Sequence, residues 1–248
     1  MNRLGVFAKY WQAGTVKTRL AAAIGHENAA SLYRVFMTQT LTRQNSNGDA
    51  RTVWIWPPER QSEFSHFIDQ NRPLAWSVRT QSDGDLGCKM RNFFQESLAD
   101  ATHEIENESE QQPNANEKSC DTTQHKVVLI GTDSPDLPES IIQQAFAELD
   151  QHQCVLGPSR DGGYYLIGMN QLITDIFEDV AWSSTEVLTQ TLHKLEQLSI
   201  STSLLPEWND IDEWDDLVEM KNRLADKSDP SDSDKNLLAA IDKFGIRI

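Results

Sequence analysis

The sequence predicts an α/β protein with a three-layer α/β/α arrangement, in which helices cover both faces of a mainly parallel, mixed sheet. Two observations predict this class. Short apolar segments with strand composition alternate with amphipathic segments of helical period, and unusual polar residues are concentrated in the loops after the apolar segments. With 248 residues, 38% of them hydrophobic, the chain can bury a large core without disulfides or a structural metal.

Seven segments have the length and composition of strands. They are residues 4–8, 52–56, 74–80, 126–130, 153–156, 164–168 and 202–205. Six segments place apolar residues three or four apart, as amphipathic helices do, at residues 28–41, 59–70, 86–98, 138–149, 187–195 and 213–224. The pattern Ser183-x-x-Glu186 predicts a capping box at the start of the fifth helix.

The domain organisation follows from composition. We expect one α/β domain over residues 1–225, interrupted at about residues 102–125 by a flexible insertion rich in Glu, Gln, Asn and Ser. Residues 226–248 are expected to form an acidic linker and a short amphipathic segment. The apolar residues of that segment either dock on the domain or contact a partner.

The charge of the chain limits its partners. Asp and Glu number 38 against 22 Lys and Arg, which gives a net charge of −16. This balance argues against nucleic acid and anionic membranes, because both favour basic surfaces. A phosphate-binding site in such a chain needs local cations or a metal. The three cysteines have neither zinc nor disulfide spacing. No apolar run reaches the length of a membrane span, so we expect a cytoplasmic protein.

Candidate functional residues follow four of the predicted strands. These loops are residues 9–20, 131–136, 157–163 and 209–212. Ligands of open α/β sheets bind beyond the carboxyl ends of the strands, so loops of parallel strands meet at one edge. The sequence therefore predicts a site at this edge of the sheet.

The first loop supplies cations. It begins at Lys9, and Gly14 permits a tight curve before Lys17 and Arg19, which lie where a helix begins. Helix N-terminal N–H groups and fixed cations bind phosphates. The spacing is not that of a Walker loop. The alternative is that these cations are solvated charges on a first helical turn.

The second and fourth loops supply carboxylates. Asp133 follows a buried strand and could bind Mg²⁺ together with substrate phosphates and waters. Asp210 and Asp212 lie on one side of an extended segment and could complete the metal site. The alternatives are local. Asp133 or Ser134 could serve only to stabilise the turn, Asp136 could cap the following helix, and one of the two later aspartates could cap the helix near residue 213.

The third loop combines Arg160, Asp161 and a glycine pair. Arg160 could bind phosphate, and Asp161 could position an acceptor or accept its proton. The alternative is a plain β-turn, with Asp161-Gly162 as the turn dipeptide.

A family resemblance rests on five blocks that occur in order over about residues 3–220. They are Val16-Lys17-Thr18-Arg19-Leu20, Gly84-Asp85-Leu86-Gly87, residues 130–137, Asp161-Gly162-Gly163-Tyr164-Tyr165 within residues 156–168, and Trp182-Ser183-Ser184-Thr185. Together they resemble the GT-A-fold glycosyltransferase family associated with radical-SAM and selenium-linked genes (transferase 1 type). They are more distantly similar to 2-phospho-L-lactate guanylyltransferase and molybdenum-cofactor guanylyltransferase.

The resemblance implies a nucleotide-diphospho-sugar transferase-like (GT-A) fold. It implies Lys17 and Arg19 for phosphates and Asp133 for the metal. It also brings Asp85 into the nucleotide-binding set and matches Asp210 and Asp212 to late aspartates of the guanylyltransferases. The family usually has two prolines in the first loop, where this chain has residues 10–13, Tyr-Trp-Gln-Ala.

Three functional hypotheses follow. The first is a glycosyltransferase that uses a nucleotide-sugar, a small-molecule acceptor and Mg²⁺ or Mn²⁺, with Lys17, Asp133 and Asp161 as catalytic residues. The second is a nucleotidyltransferase that joins a nucleoside triphosphate to a phosphorylated small molecule and releases pyrophosphate. The third is a non-catalytic nucleotide-binding module. The resemblance favours the first hypothesis, and the basic first loop favours the second.

Overall fold

A computed structural model describes residues 1–71, 75–111 and 125–244, and for residues 102–111 it describes the backbone alone. Seven strands in the described ranges form one sheet of order β3-β2-β1-β4-β6-β5-β7. The strands are β1 (Asn2–Lys9), β2 (Ala50–Trp56), β3 (Ser77–Thr80), β4 (Lys126–Ile130), β5 (Cys154–Pro158), β6 (Tyr164–Met169) and β7 (Thr202–Leu204). All pairs are parallel except those that β6 makes with β4 and β5. The mainly parallel, mixed sheet expected from the sequence is confirmed.

Within the described ranges, the first six helices lie between these strands along the chain, and the last two follow β7. They are α1 (Thr18–Ile24), α2 (His26–Arg43), α3 (Gln61–Gln70), α4 (Leu86–Gln111), α5 (Glu139–Glu148), α6 (Val187–Gln197), α7 (Trp214–Ala225) and α8 (Asp232–Asp242). The insertion expected at about 102–125 begins within α4, and its residues 112–124 lie outside the described residues. In the part of the chain that the structure describes, no helix has the length and apolarity of a membrane span.

Two apolar clusters on opposite faces of the sheet make the three layers. On one face, strand residues such as Val6 and Val128 pack with α2, α3 and α5. On the other face, alternate strand residues such as Leu129 and Ile167 pack with α4 and α6. The alternation follows from the strand period of two, which sends successive side chains to opposite faces. The α/β/α layering predicted from the sequence is therefore confirmed.

The C-terminal helix α8 docks on the domain. Leu237 and Ile241 are fully buried in a third cluster that also contains Leu20, Leu32 and Leu217. The helix begins with a capping box, in which Ser231 accepts a hydrogen bond from the backbone N–H of Asp234 and the Asp234 side chain accepts one from that of Ser231. The expected amphipathic segment is thus a helix whose apolar side faces α1, α2 and α7.

The predicted capping box at Ser183 and Glu186 is wrong. Helix α6 begins later, at Val187, and its N-cap Glu186 makes no side-chain capping bond. Ser183 instead lies in a turn with φ of 68° and lines the cavity described below. The Ser-x-x-Glu spacing alone could not distinguish this turn from a helix start.

Candidate functional site

A cavity of about 620 Å³ opens at the carboxyl edge of the sheet, where the sequence predicts the site. The loops after β1 and β4 form much of its wall, because these strands are parallel neighbours. The reversed strand β6 contributes its amino end, Tyr164, at the same edge. The segment before α7 closes one side with Asp210 and Asp212.

The ammonium group of Lys17 joins two of these loops. It makes ion pairs with Oδ1 of Asp133 and with Oδ1 of Asp212, the latter at 2.8 Å. The Lys17 side chain is only 3% exposed, whereas the two carboxylates are 43% and 45% exposed. Burial disfavours the charge on Lys17, but the two aspartates outweigh burial and raise its pKa. Lys17 is therefore a buried, fixed cation that holds two half-exposed carboxylates at the wall of the cavity.

Local backbone geometry directs Lys17 inwards. It is the N-cap residue of α1 and has the left-handed conformation, with φ of 47° and ψ of 45°. This conformation is uncommon for a residue with a side chain, and such strain is often found at functional sites. The chain can adopt it here because the buried ion pairs hold the side chain.

Asp210 lies beside this pair. Its Oδ1 accepts a hydrogen bond of 2.6 Å from the Ser134 hydroxyl. Burial and then the negative charge of Asp133 raise the pKa of Asp210 to about 7. The backbone N–H of Ile211 donates to the carbonyl of Asp133 at 2.9 Å, so the two acidic loops are also joined through the main chain.

The alternative capping roles are wrong for these aspartates. The N-cap residue of α7 is Glu213, and its capping box is completed by Asp216. Asp136 is buried and accepts hydrogen bonds from Arg223 at 2.7 and 3.0 Å rather than from a helix start. Asp210 and Asp212 are therefore not used as helix caps.

The buried Tyr33 joins the end of β1 to the loop that follows β4. Its hydroxyl accepts a hydrogen bond of 2.9 Å from the backbone N–H of Lys9 and shares one of 2.8 Å with the Thr132 hydroxyl. Burial and then the charge of Asp133 raise the pKa of Tyr33 to about 12. This buried phenol fixes the ends of β1 and β4 relative to each other.

The first loop is anchored by aromatic packing. The Tyr10 and Trp11 rings stack with their centroids 4.7 Å apart, and the ring centroids of Trp11 and Phe64 are 5.0 Å apart. The Arg34 guanidinium lies 5.0 Å from the Trp11 ring centroid, within the range of a cation–π contact. These contacts restrain the loop at the position where the resembled family has prolines.

The carboxylates at the cavity suit a metal ion that is shared with phosphates. Within the described ranges, no three acidic, His or Cys side chains are grouped so that they could enclose a metal ion. Mg²⁺ sites that act on nucleotides differ, since one or two carboxylates bind the ion and phosphates and waters complete its shell. Asp133 and Asp210 fit that second kind of site. Lys17 contacts one oxygen of Asp133 and neither oxygen of Asp210, so carboxylate oxygens remain available to a metal ion.

The structure brings together some of the predicted site residues and not others. Lys9, Lys17, Arg19, Asp133, Asp210 and Asp212 all line the cavity, whereas Gly14, Asp85, Arg160 and Asp161 do not. The exposed Arg160 pairs with Glu219 at 2.8 Å. Asp161 accepts a hydrogen bond of 2.9 Å from the backbone N–H of Gly163, and Asp85 accepts one of 2.8 Å from that of Cys88.

Other cavity residues were missed by the sequence reasoning. Lys89 and Gln81 line the wall formed by α4 and the end of β3, and the buried Tyr33 lies beneath. Lys89 lies among the apolar residues of a helix, so only its place in the first turn after a strand could have indicated it. Gln81 donates to the carbonyl of Trp54 at 2.8 Å, which the sequence does not indicate.

Comparison with known structures supports the fold. A presumed nucleotide-diphospho-sugar transferase from Desulfovibrio desulfuricans G20 is 27% identical, with a TM-score of 0.78 over 98% of this chain and 97% of that one. The chain is also similar to the 4-diphosphocytidyl-2C-methyl-D-erythritol synthase of Anaerococcus prevotii, at 12% identity and a TM-score of 0.51 over 91% and 98% of the two chains. A nucleotidyl transferase from Methanothermobacter thermautotrophicus gives 11% identity and a TM-score of 0.51 over 90% and 97%.

These similarities confirm the nucleotide-diphospho-sugar transferase-like fold. No curated protein sequence matches the chain. One family profile matches residues 39–184, more than half of the chain, a range that contains Asp133 but neither Lys17 nor Asp212. The chain therefore belongs to DUF2064, a family described as uncharacterized proteins conserved in bacteria.

Proposed function

We propose that this protein is a transferase that uses a nucleotide-activated donor and a divalent metal, and that the group it transfers is a sugar. The observation that carries the proposal is the buried Lys17 ammonium between Asp133 and Asp212 at the cavity. Arg19 and Lys9 line the same cavity. Carboxylates for a metal beside cations for phosphates are what a nucleotide diphosphate group requires.

Each residue has a role in this scheme. Asp133 and Asp210 would hold a Mg²⁺ or Mn²⁺ ion, which when bound would neutralise charge on the phosphates of the donor. Lys17 fixes the orientation of Asp133 and supplies a permanent positive charge. Arg19 is exposed, and its distant pairing with Glu213, at 3.9 Å, leaves its guanidinium able to reach a phosphate.

Two similarities support sugar transfer as the reaction. The Desulfovibrio relative, described as a presumed nucleotide-diphospho-sugar transferase, covers nearly the whole chain. The blocks noted in the sequence resemble the radical-SAM-associated glycosyltransferases. In this reaction the bond from the sugar to the nucleoside diphosphate breaks, and the acceptor forms the new bond while losing a proton.

A specific observation favours nucleotidyl transfer as the second candidate. Asp133 is followed by Ser134 and Pro135, so the D-x-D spacing of many metal-dependent glycosyltransferases is absent. Lys17 and Arg19 would then hold a triphosphate, and pyrophosphate would be the product. The same cavity serves either reaction, because both substrates carry a nucleotide and a phosphate chain.

The test is a ligand-binding panel followed by product analysis. Thermal shifts are measured with nucleoside triphosphates, diphosphates and nucleotide-sugars, each with and without Mg²⁺ or Mn²⁺. A ligand at about 100 times its dissociation constant should add about 2.7 kcal/mol of stability. Metal-dependent stabilisation by a nucleotide-sugar, with release of nucleoside diphosphate in the presence of acceptor, is the expected result. Preference for a triphosphate and release of pyrophosphate would establish the second candidate.

Asp133→Asn is the decisive variant. It should retain the fold, because its side chain is 43% exposed and Lys17 keeps its contact with Asp212. It should lose metal-dependent turnover by at least about 100-fold, as expected when a group that stabilises transition-state charge is removed. Asp232→Asn, at a fully exposed position of α8, is the control. Turnover that is unchanged in Asp133→Asn would refute the proposed metal site.

A further inference from the structure

Two lysines, Lys9 and Lys89, belong to the cavity wall. Lys9 is the last residue of β1, and Lys89 lies in the first turn of α4. Within the described ranges, neither ammonium group has a carboxylate within 4 Å, although the whole chain has 38 acidic residues against 22 basic ones. The positive charge of the two lysines would attract an anionic ligand to this wall of the cavity.

Trp56 holds Lys89 in place without neutralising it. The Lys89 ammonium lies 3.8 Å from the centroid of the Trp56 ring, in a close cation–π contact. Trp56 is the register partner of Lys9 on the neighbouring parallel strand, and paired residues project to the same face of the sheet. Lys9 and the ring that supports Lys89 are therefore neighbours on the face that α4 covers.

The two lysines also affect each other electrostatically. Burial and then the positive charge of Lys9 lower the pKa of Lys89, with Asp83 opposing the effect. Burial opposes ionisation of Asp212, but the charge and hydrogen bond of Lys17, followed by the charges of Arg19 and Lys9, lower its pKa. The Lys9 charge therefore acts on both Lys89 and Asp212, which line the same cavity. An anion between the lysines would relieve their repulsion.

We propose that Lys9 and Lys89 form an anion subsite that binds a phosphate group of the substrate, next to the carboxylates of Asp133 and Asp212. The nature of the substrate rests on the function proposed above, whereas the binding of an anion does not depend on turnover. The phosphate can come from the nucleotide donor or from a phosphorylated acceptor. In either case Lys89 acts by contact with the substrate and not through the metal.

Direct binding without metal tests the subsite. Inorganic pyrophosphate is titrated calorimetrically into the wild-type protein and into Lys89→Met, Lys9→Met and Lys89→Arg. Met keeps the length and apolar stem of Lys, so the ring contact with Trp56 is partly retained while the charge is lost. We expect about ten-fold weaker binding in each Met variant and near-wild-type binding in Lys89→Arg, which keeps the charge. Lys194→Met, which removes a charge from α6 away from the cavity, is the matched control.

The same variants identify the source of the phosphate. They are titrated with a nucleoside diphosphate and, separately, with a sugar monophosphate. A loss confined to the diphosphate assigns the subsite to the donor, and a loss confined to the monophosphate assigns it to the acceptor. Equal pyrophosphate affinity in Lys89→Met and the wild type would overturn the subsite, as would an equal loss in Lys194→Met. Asp133→Asn should keep pyrophosphate binding, so failure of the proposed metal site and failure of this subsite are distinguishable.

Discussion

Arg43 donates a hydrogen bond of 2.8 Å to the carboxylate of Asp234, and both side chains are buried, at 7% and 3% exposure. The same guanidinium donates through Nε to the carbonyl of Pro135 at 3.2 Å. One arginine therefore connects the C-terminal helix α8 with the loop that carries Asp133. The Asp234 carboxylate is also contacted by Lys227 at 3.0 Å.

Replacing Asp234 by Asn should lower the free energy of unfolding by about 3 kcal/mol. The substitution leaves the Arg43 guanidinium buried without its carboxylate, and removing one partner of a buried ion pair costs several kcal/mol. Chemical denaturation measures the change. The control is Asp232→Asn, because Asp232 is exposed and its contact with Lys235 is 3.6 Å. Similar losses in the two variants would contradict the importance of the buried pair.

The ion pair between Arg43 and Asp234 should also make the free energy of unfolding depend on pH in the acidic range. Burial alone would raise the pKa of this carboxyl, but hydrogen bonds led by those from Lys227 and Ser231 lower it to about 2. The unfolded chain has a pKa of about 3.9 for Asp. Because the folded-state value is the lower one, the stabilisation is complete above about pH 4 and is lost as pH falls towards 2. The stability difference between wild type and Asp234→Asn should therefore shrink across this window in denaturation curves. A constant difference would contradict the prediction.

Replacing Lys17 by Met should destabilise the protein by about 1–2 kcal/mol. The loss is smaller than for a fully buried pair, because the half-exposed Asp133 and Asp212 can be hydrated once the ammonium is gone. The remaining carboxylates then repel one another, and a divalent cation can replace the missing charge. Added Mg²⁺ should therefore raise the melting temperature of Lys17→Met more than that of the wild type. Equal shifts would mean that Lys17 and the metal do not share these carboxylates.

The Tyr33 hydroxyl should contribute measurably to stability through Thr132. Tyr33→Phe removes the acceptor of the Lys9 N–H and the partner of the Thr132 hydroxyl. We expect a loss of about 1–3 kcal/mol, the cost of leaving buried polar groups unpaired. A double-mutant cycle with Thr132→Val isolates the bond between the two hydroxyls, with an expected coupling of about 1 kcal/mol. A coupling near zero would assign the whole effect to the Lys9 N–H.

Gly162 and Gly14 form a matched pair for testing the third loop. Both have positive φ, of 88° and 81°, so alanine is strained at either position by about 1–2 kcal/mol. A Cβ on Gly162 would also clash with the Thr185 carbonyl oxygen, whereas a Cβ on Gly14 would have nothing within 4 Å. Gly162→Ala should therefore reduce the free energy of unfolding at least twice as much as Gly14→Ala. Equal losses in the two variants would show that the backbone at Thr185 can move away from the new Cβ without loss of stability.

Asp161→Asn tests the catalytic role that the sequence suggested for Asp161. The carboxylate lies outside the cavity wall and accepts a hydrogen bond from the Gly163 N–H, which an amide oxygen can also accept. We expect turnover within about three-fold of the wild type. A loss as large as that of Asp133→Asn, measured at saturating substrate, would mean that the third loop moves towards the substrate when it binds.

The position of the site at the carboxyl edge of the sheet could be predicted from the sequence, because the loops that follow parallel strands lie at the same edge. This rule brought Lys17 and Asp133 to one site although 116 positions separate them. The direction of individual side chains could not be predicted in the same way. Arg160 and Asp161 lie in a loop that does not line the cavity: Arg160 pairs with Glu219, and Asp161 accepts a hydrogen bond within its own turn.

Contacts between polar side chains that are far apart in the sequence also could not be predicted. The contact of Asp136 with Arg223 joins residues 87 positions apart, and nothing local distinguishes it from a helix cap. Lys89 was missed for a related reason. It lies beside the buried Met90 in an amphipathic helix, and only the packing of α4 on β2 places its ammonium over Trp56.

The third apolar cluster has a consequence for how the chain folds during synthesis. Leu20 and Leu32 share this cluster with Leu237 and Ile241, which are made about 200 residues later. At a synthesis rate of about 5–20 residues per second, the interval is roughly 10–40 s. During this interval the outer sides of α1 and α2 have no partner from α8. The nascent chain is therefore expected to expose part of this apolar surface to chaperones until α8 has left the ribosome and docked.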